Sequence, residues 1–378
     1  MKKICFITGT RADYGIMAPI MRLIQSSPDA VLQIVATTMH LSSRFGMTIN
    51  EIKKDGFKVD WEIESLLPGD TSSTTAKSMA LVQQGLADAL EDLQPDLIVI
   101  LGDRYEALAA ASTAVVFDIP IAHLHGGEIT EGAMDDMLRN AITKLSSYHF
   151  ASTPEYAARI VSMGENPDCV FHSGAPGAEI RPLVDEIILS QDFQRKTGFS
   201  AEDKFILLAM HPVTLLPDRG ENEVRETIKA LDSLIDYGYK ILVTMPNSDP
   251  GNTTIYKMID LWKEEQEGRV VTVKSLGATL FHYAMHKACA ITGNSSAALI
   301  EAPSLKLPTV NIGSRQKGRA AGPSVLHALG DAEDIKAKLN IALSTDFHQF
   351  LDSLTLPEIN PYYKAGSSRF IAEKLLKI

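Results

Sequence analysis

The densest grouping of proton-exchanging side chains is His123-Leu124-His125-Gly126-Gly127-Glu128, followed by Asp135, Asp136 and, about a helical turn on, Arg139. Imidazoles and carboxylates beside a Gly-Gly turn can be tuned to exchange protons near neutral pH, so general acid–base work suits this segment. If the residues before the glycines form a strand, alternation sends His123 and His125 to one face. Two imidazoles and a carboxylate could also make a facial metal set, but no further ligand motif accompanies them and no metal is expected. A third reading buries both rings as structural groups bonded to backbone. Leu101-Gly102-Asp103-Arg104-Tyr105-Glu106 closes an apolar run with a similar mixture. Asp103 reads there as the N-cap of the next helix or as a proton carrier, and Arg104 as a solvated cation or an anion contact.

Anion chemistry gathers elsewhere. Gly9-Thr10-Arg11-Ala12-Asp13-Tyr14-Gly15 follows the first apolar run, where glycines permit close backbone approach and a helix start offers N–H groups. His211 and Asn247 each close an apolar run in the second half. Thr292-Gly293-Asn294-Ser295-Ser296 places two hydroxyls before the helical stretch expected at Ala297 to Ala302, suited to a diphosphate or to plain N-capping. Glu301, a little downstream, could accept bonds from ribose hydroxyls. Arg315, Lys317 and Arg319 bring three cations to the end of another run.

These groups need elements to hold them. Lys3 to Thr8, Leu32 to Thr37, Asp96 to Leu101, Pro120 to His123 and Tyr148 to Ser152 are apolar runs that predict buried strands. Helical spacing is expected through Pro19 to Gln25, Met79 to Leu93 and Glu106 to Phe117. The rhythm breaks around Gly174 to Phe199. It resumes with strands expected at Phe205 to Met210, Lys240 to Met245, Val270 to Val273, Ala288 to Thr292 and Thr309 to Ile312. The pattern predicts an α/β fold of two doubly wound, Rossmann-like domains, 1–178 and 179–360, facing a central cleft. A helical tail, 361–378, is expected to pack back on the first domain.

Composition narrows the partners. A net charge of −11, two tryptophans and 7% aromatics disfavour nucleic acid, which needs cations and stacking surface. No uninterrupted apolar stretch is long enough for a membrane span, and Arg11 and Asp13 interrupt the signal-like start, so a cytoplasmic protein is expected. Cys5 and Cys289 lie in apolar runs and read as core, with Cys169 unpaired in pattern. The missing GxGxxG fingerprint argues against a dinucleotide cofactor.

Taken together, these segments resemble the hydrolysing UDP-N-acetylglucosamine 2-epimerases of bacterial sialic-acid synthesis. The carriers are Thr8 to Gly15, Leu101 to Glu106, His123 to Glu128, His211-Pro212-Val213-Thr214, Gly293 to Ser296 with Glu301, and Asn311 to Arg319. The resemblance spans nearly the whole chain and implies the two-Rossmann-domain arrangement shared with many glycosyltransferases (the GT-B type). It implies that Arg11, Gly15, Arg104, His211, Asn247, Gly293, Asn294, Ser295, Ser296 and Arg315 contact UDP, with Glu301 on the ribose and Leu276 and Phe281 at the uracil. It further implies that His40, His123 and Arg139 face the sugar beside catalytic Asp103, His125, Glu128, Asp135 and Asp136. Some members carry Glu where this chain has His125, which leaves Glu128 or an aspartate to supply the carboxylate. The loop from Glu128 to Asp135 is one residue longer than in the animal enzyme, so either Asp135 or Asp136 matches its acidic position.

The reaction so implied converts UDP-N-acetylglucosamine and water to N-acetylmannosamine and UDP, without a cofactor, in a homodimer or homotetramer. Four alternatives stay open at this stage. One is the same reaction on UDP-2,4-diacetamido-2,4,6-trideoxyglucose, for legionaminic acid. Another is a GT-B glycosyltransferase, and the third a non-hydrolysing epimerase, whose members read His-x-Glu-Ala-Gly where this chain has His123 to Gly127. The fourth is a non-catalytic nucleotide-sugar sensor.

Overall fold

The computed structural model describes residues 1–179, 183–200 and 202–378. Strands β1 (Lys2–Thr8), β2 (Ala30–Thr37), β3 (Trp61–Ile63), β4 (Leu97–Leu101), β5 (Ile121–Leu124), β6 (Tyr148–Ala151) and β7 (Val170–His172) form one sheet. A second sheet holds β8 (Phe205–Ala209), β9 (Lys240–Thr244), β10 (Val270–Val273), β11 (Ala290–Gly293), β12 (Thr309–Ile312) and β13 (Val325–Ala328). Their orders are β3-β2-β1-β4-β5-β6-β7 and β10-β9-β8-β11-β12-β13. Both are doubly wound Rossmann sheets.

The near-continuous apolar runs follow from burial on both faces. Ile4 and Phe6 of β1 enter one core while Cys5 and Ile7 enter another, and Leu97 and Val99 of β4 separate in the same way from Ile98 and Ile100. In the second sheet Ile206 and Leu208 of β8 face one core, and Phe205 and Leu207 face the other. Parallel pairing of β1 with both β2 and β4, and of β8 with both β9 and β11, reverses the winding there. A crevice beyond the carboxyl ends of the strands opens at such a reversal.

The chain divides into two compact units: Met1–Glu128, Met134–Glu179 and Lys364–Ile378 form the first, and Ile129–Ala133 with Ile180–Tyr363 the second. Nothing in the sequence marks the excursion Ile129–Ala133. Within the second unit it is held by the Glu131 N–H to the Lys317 carbonyl at 3.0 Å and by a Lys317–Glu131 ion pair at 2.8 Å. A Cβ on Gly132 would stand 2.3 Å from the Ser314 carbonyl oxygen, so only glycine fits there.

Three local expectations change. The tail is helical only over Ser367–Lys377; Ile371, Ala372 and Leu375 of that helix join the core beneath helix Arg11–Gln25. Of the break at 174–199, residues 180–182 lie outside the described residues, and helix Glu186–Thr197 fills much of the rest. Cys289 is half-buried, not core, because β11 starts one residue after it. No helix among the described residues is long and apolar enough to cross a membrane.

Candidate functional site

In the first unit the crevice between β1 and β4 is bordered by Gly9-Thr10-Arg11 and Gly102-Asp103-Arg104. Asp13 fixes the first loop, accepting the N–H groups of Gly9 at 3.0 Å and Thr10 at 2.9 Å. Thr10 returns the bond as N-cap of helix Arg11–Gln25, so Arg11 enters the half-buried first turn and Gly15 is buried on its inner side.

Asp103 is no N-cap. That position falls to Arg104, without a side-chain capping bond, and the Asp103 carboxylate instead pairs with Arg139, a residue 36 positions away. Arg139 is wholly buried, which a guanidinium tolerates only when its charge is paired. It also donates to the Glu128 carbonyl at 2.8 Å and reaches Asp136 at 3.5 Å. Arg159 donates to the Gly127 and Glu128 carbonyls at 2.8 Å each, and Asn140 to Asp136 at 3.1 Å. Arg139 is therefore a hub that sets Asp103, the Glu128 backbone and Asp136 relative to one another. Asp135 and Asp136 begin helix Asp135–Leu145 and are half-buried.

The two histidines do not share a face. β5 ends at Leu124, and His125 takes φ 64°, a left-handed conformation that is costly without a glycine. His125 Nδ1 lies 2.7 Å from Glu128 Oε1, which also accepts the Ser152 hydroxyl at 2.7 Å. A carboxylate on Nδ1 makes that nitrogen a donor. Nε2 is buried, with no hydrogen-bond partner among the described residues. His123, by contrast, is sealed in: its Nε2 donates to the Gly102 carbonyl at 2.7 Å and its Nδ1 meets Thr143 Oγ1 at 3.3 Å. Burial takes its pKa down to about 3, against the pull of the Gly102 carbonyl. His40 is buried between Thr8 Oγ1 at 2.9 Å and Thr48 Oγ1 at 2.8 Å, and burial lowers its pKa too. His40 and His123 thus brace the crevice loops, and no facial pair of His123 and His125 forms.

In the second unit Asn294 ties the strand-end loops together. Its N–H donates to the Ala209 carbonyl at 3.0 Å, its Nδ2 to the His211 carbonyl at 2.9 Å, and its Oδ1 accepts the His211 N–H at 2.7 Å. The Asn294 carbonyl takes Arg315 Nη1 at 3.2 Å and Gln316 Nε2 at 2.8 Å. The Asn247 N–H approaches His211 Nδ1 at 3.4 Å. Gly293 makes this knot feasible: its φ is 125°, and a Cβ would stand 2.1 Å from the Ala209 carbonyl oxygen.

Ser295 and Ser296 are half-buried, and Ser296 occupies the N-cap position of helix Ala297–Ile300 without making a side-chain cap. The plain-capping reading of Ser296 therefore fails. The helix is one turn, shorter than the stretch to Ala302 expected, so hydroxyls and local N–H groups matter more there than a long dipole. Glu301 follows that turn, half-buried. Leu276 is buried in a core with Phe281 packed against it, and Arg315 is 9% exposed. Glu106, to which the sequence pattern assigns no role, is buried and accepts the Arg104 Nε–H at 2.5 Å. Among the described residues no group of three or more His, Cys, Asp or Glu could hold a metal ion.

Two Rossmann-type domains with polar strand-end crevices define the class. The family model described as UDP-N-acetylglucosamine 2-epimerase matches residues 22–376, and the chain belongs to that family. It is 36% identical over 331 residues to the UDP-N,N'-diacetylbacillosamine 2-epimerase (hydrolyzing) of Legionella pneumophila, with 86% of this chain and 85% of the relative covered. It is 32% identical over 369 residues to the polysialic acid biosynthesis protein P7 of Escherichia coli, with 97% and 92% covered. The solved structure of a Neisseria meningitidis UDP-GlcNAc 2-epimerase bound to UDP-GlcNAc shares the fold at TM-score 0.81 and 21% identity, over 100% of both chains.

Proposed function

We propose that the protein is a hydrolysing 2-epimerase that converts UDP-N-acetylglucosamine and water to N-acetylmannosamine and UDP. The observation that carries this reading is the contrast between crevices: the first is crowded with titratable groups, the second with neutral donors and Arg315. The second unit takes the UDP, its diphosphate on Ser295, Ser296 and Arg315 and its ribose on Glu301. The first unit does the proton work, and its Arg104 adds a cation for the departing diphosphate.

The C2 hydrogen has no adjacent carbonyl and is not acidic in the ground state. UDP leaves C1 with the electron pair of the C1–O bond, and the growing oxocarbenium character makes C2–H removable. A base takes the proton, the C2–H pair becomes the C1–C2 double bond, and a 2-acetamidoglucal results. Water then adds at C1, and a proton returns to the opposite face of C2. Asp103, held by Arg139, and the His125–Glu128 pair are the two proton carriers. Donors fixed in advance at the diphosphate make the largest electrostatic contribution, since charge develops there. The scheme requires neither nicotinamide nor metal.

A second reading concerns the donor alone: the 36% identity to the Legionella epimerase, whose name gives a 2,4-diacetamido sugar, favours UDP-2,4-diacetamido-2,4,6-trideoxyglucose. Comparing kcat/KM for the two donors decides between them. Rapid UDP release with no acceptor present, together with free 2-epimerised sugar, is the expected result. UDP release that needs an added acceptor would mean a glycosyltransferase instead.

A further inference from the structure

The proton chemistry leaves one buried carboxylate of the first unit unused. Glu106 lies in the first turn of helix Tyr105–Val116 and is 2% exposed. Its Oε1 accepts the Nε–H of Arg104, and the Arg104 guanidinium carbon stands 5.5 Å from the centroid of the Tyr105 ring. The same Oε1 lies 2.5 Å from where a Cβ on Gly9 would be, so this carboxylate fills the space that a side chain at Gly9 would need. Glu106 therefore touches both borders of the crevice, the loop after β1 and the loop after β4. Its Oε2 is buried with no hydrogen-bond partner among the described residues. A half-satisfied buried carboxylate costs stability, and a protein built for stability alone would fill the site better with an apolar side chain.

We infer that Glu106 is a positioning residue that fixes the Arg104 side chain through its Nε, and thereby sets the affinity of the crevice for the anionic diphosphate of the substrate. The inference rests on the proposed binding of a UDP-sugar. A guanidinium anchored at Nε keeps its plane, so its remaining donors hold a set direction. Losing the anchor leaves the charge but frees the direction.

The test is a double-mutant cycle read as the Kd for UDP by calorimetry, with KM for the UDP-sugar alongside. Glu106→Gln, whose amide oxygen holds Nε without charge assistance, and Arg104→Ala should each raise Kd and KM about five- to tenfold, the range of one ordinary hydrogen bond. The double variant should be no worse than Arg104→Ala alone. Equal additional loss from Glu106→Gln in the Arg104→Ala background would show that Glu106 acts on the fold and not through Arg104. An unchanged Kd in Arg104→Ala would overturn the inference as well. Should Glu106→Gln fail to fold, Arg104→Lys keeps Glu106 and the positive charge while removing the Nε anchor. It should show the same loss, and an unchanged Kd would again overturn the inference. The product formed by the wild-type protein reports separately on the 2-epimerase reading, so the two can fail independently.

Discussion

The two crevices sit at the same place in the same strand order, yet they are built from opposite materials. In the first unit side-chain charges do the fixing: Arg139 links Asp103 to Asp136, Arg104 pairs with Glu106, and His125 with Glu128. In the second, a neutral amide does it, with Asn294 joined to His211 in both directions and to Arg315 and Gln316 through its carbonyl. Buried charges respond to protonation and to each other, as proton transfer requires. A neutral knot of backbone and amide groups keeps its shape over a wide pH range, as binding a leaving group requires. On the proposed reading, the polarity of the strand-end loops puts proton transfer mainly in the first unit and nucleotide binding mainly in the second.

That division can be broken at either end. Asp103→Asn should lower kcat by about three orders of magnitude, within the range for a lost proton carrier, while the Kd for UDP stays within about threefold. If UDP affinity fell in parallel with kcat, Asp103 would hold the nucleotide as well as move a proton, and the contrast would be lost. Asn294→Ala should do the reverse, weakening UDP by about 30-fold, equivalent to losing two or so hydrogen bonds, with a smaller change in kcat.

Ser296→Ala should be milder and informative in a different way. Because the serine is assigned to a leaving group, UDP departure should slow by about tenfold and UDP bind several-fold more weakly. Unchanged turnover at saturating substrate would remove Ser296 from the diphosphate.

The smallest effect concerns pH. Burial lowers the pKa of His40, His123 and His149, that of His123 from 6.5 to about 3. A folded-state pKa below the unfolded one means the unfolded chain takes up the proton first. The stability these neutral rings support is complete above pH 6.5 and is lost as pH falls from there towards 3. The urea midpoint should drop between pH 7 and pH 5, and His123→Asn should flatten that drop. An identical drop in the variant would remove His123 as a contributor.

Much of the fold was legible in the sequence because strands buried on both faces must be apolar nearly throughout, and those runs need no partner to be recognised. The site was legible by residue type and only in part by role. Asp103 reads as a cap because its helix is adjacent, while its true partner Arg139 lies on another helix after another strand. His125 escapes the strand alternation because its φ is 64°, which residue periodicity cannot announce. His40 and His123 were expected to face a sugar, but both ring nitrogens of each are occupied by neighbouring side chains or backbone. Glu106 stayed without a role since its meaning depends on Gly9, which meets it only after the sheet is assembled. The signal that could have found it was an acid two residues after Arg104, on the first turn of a helix.

The most direct test of the account is the reaction run in deuterated, oxygen-18-labelled water with each of the two donors and no acceptor. The expected products are UDP and a free sugar inverted at C2, carrying deuterium at C2 and oxygen-18 at C1, from at least one donor. A 2-epimerised sugar still attached to UDP, or a free sugar retaining its original hydrogen at C2, would contradict it.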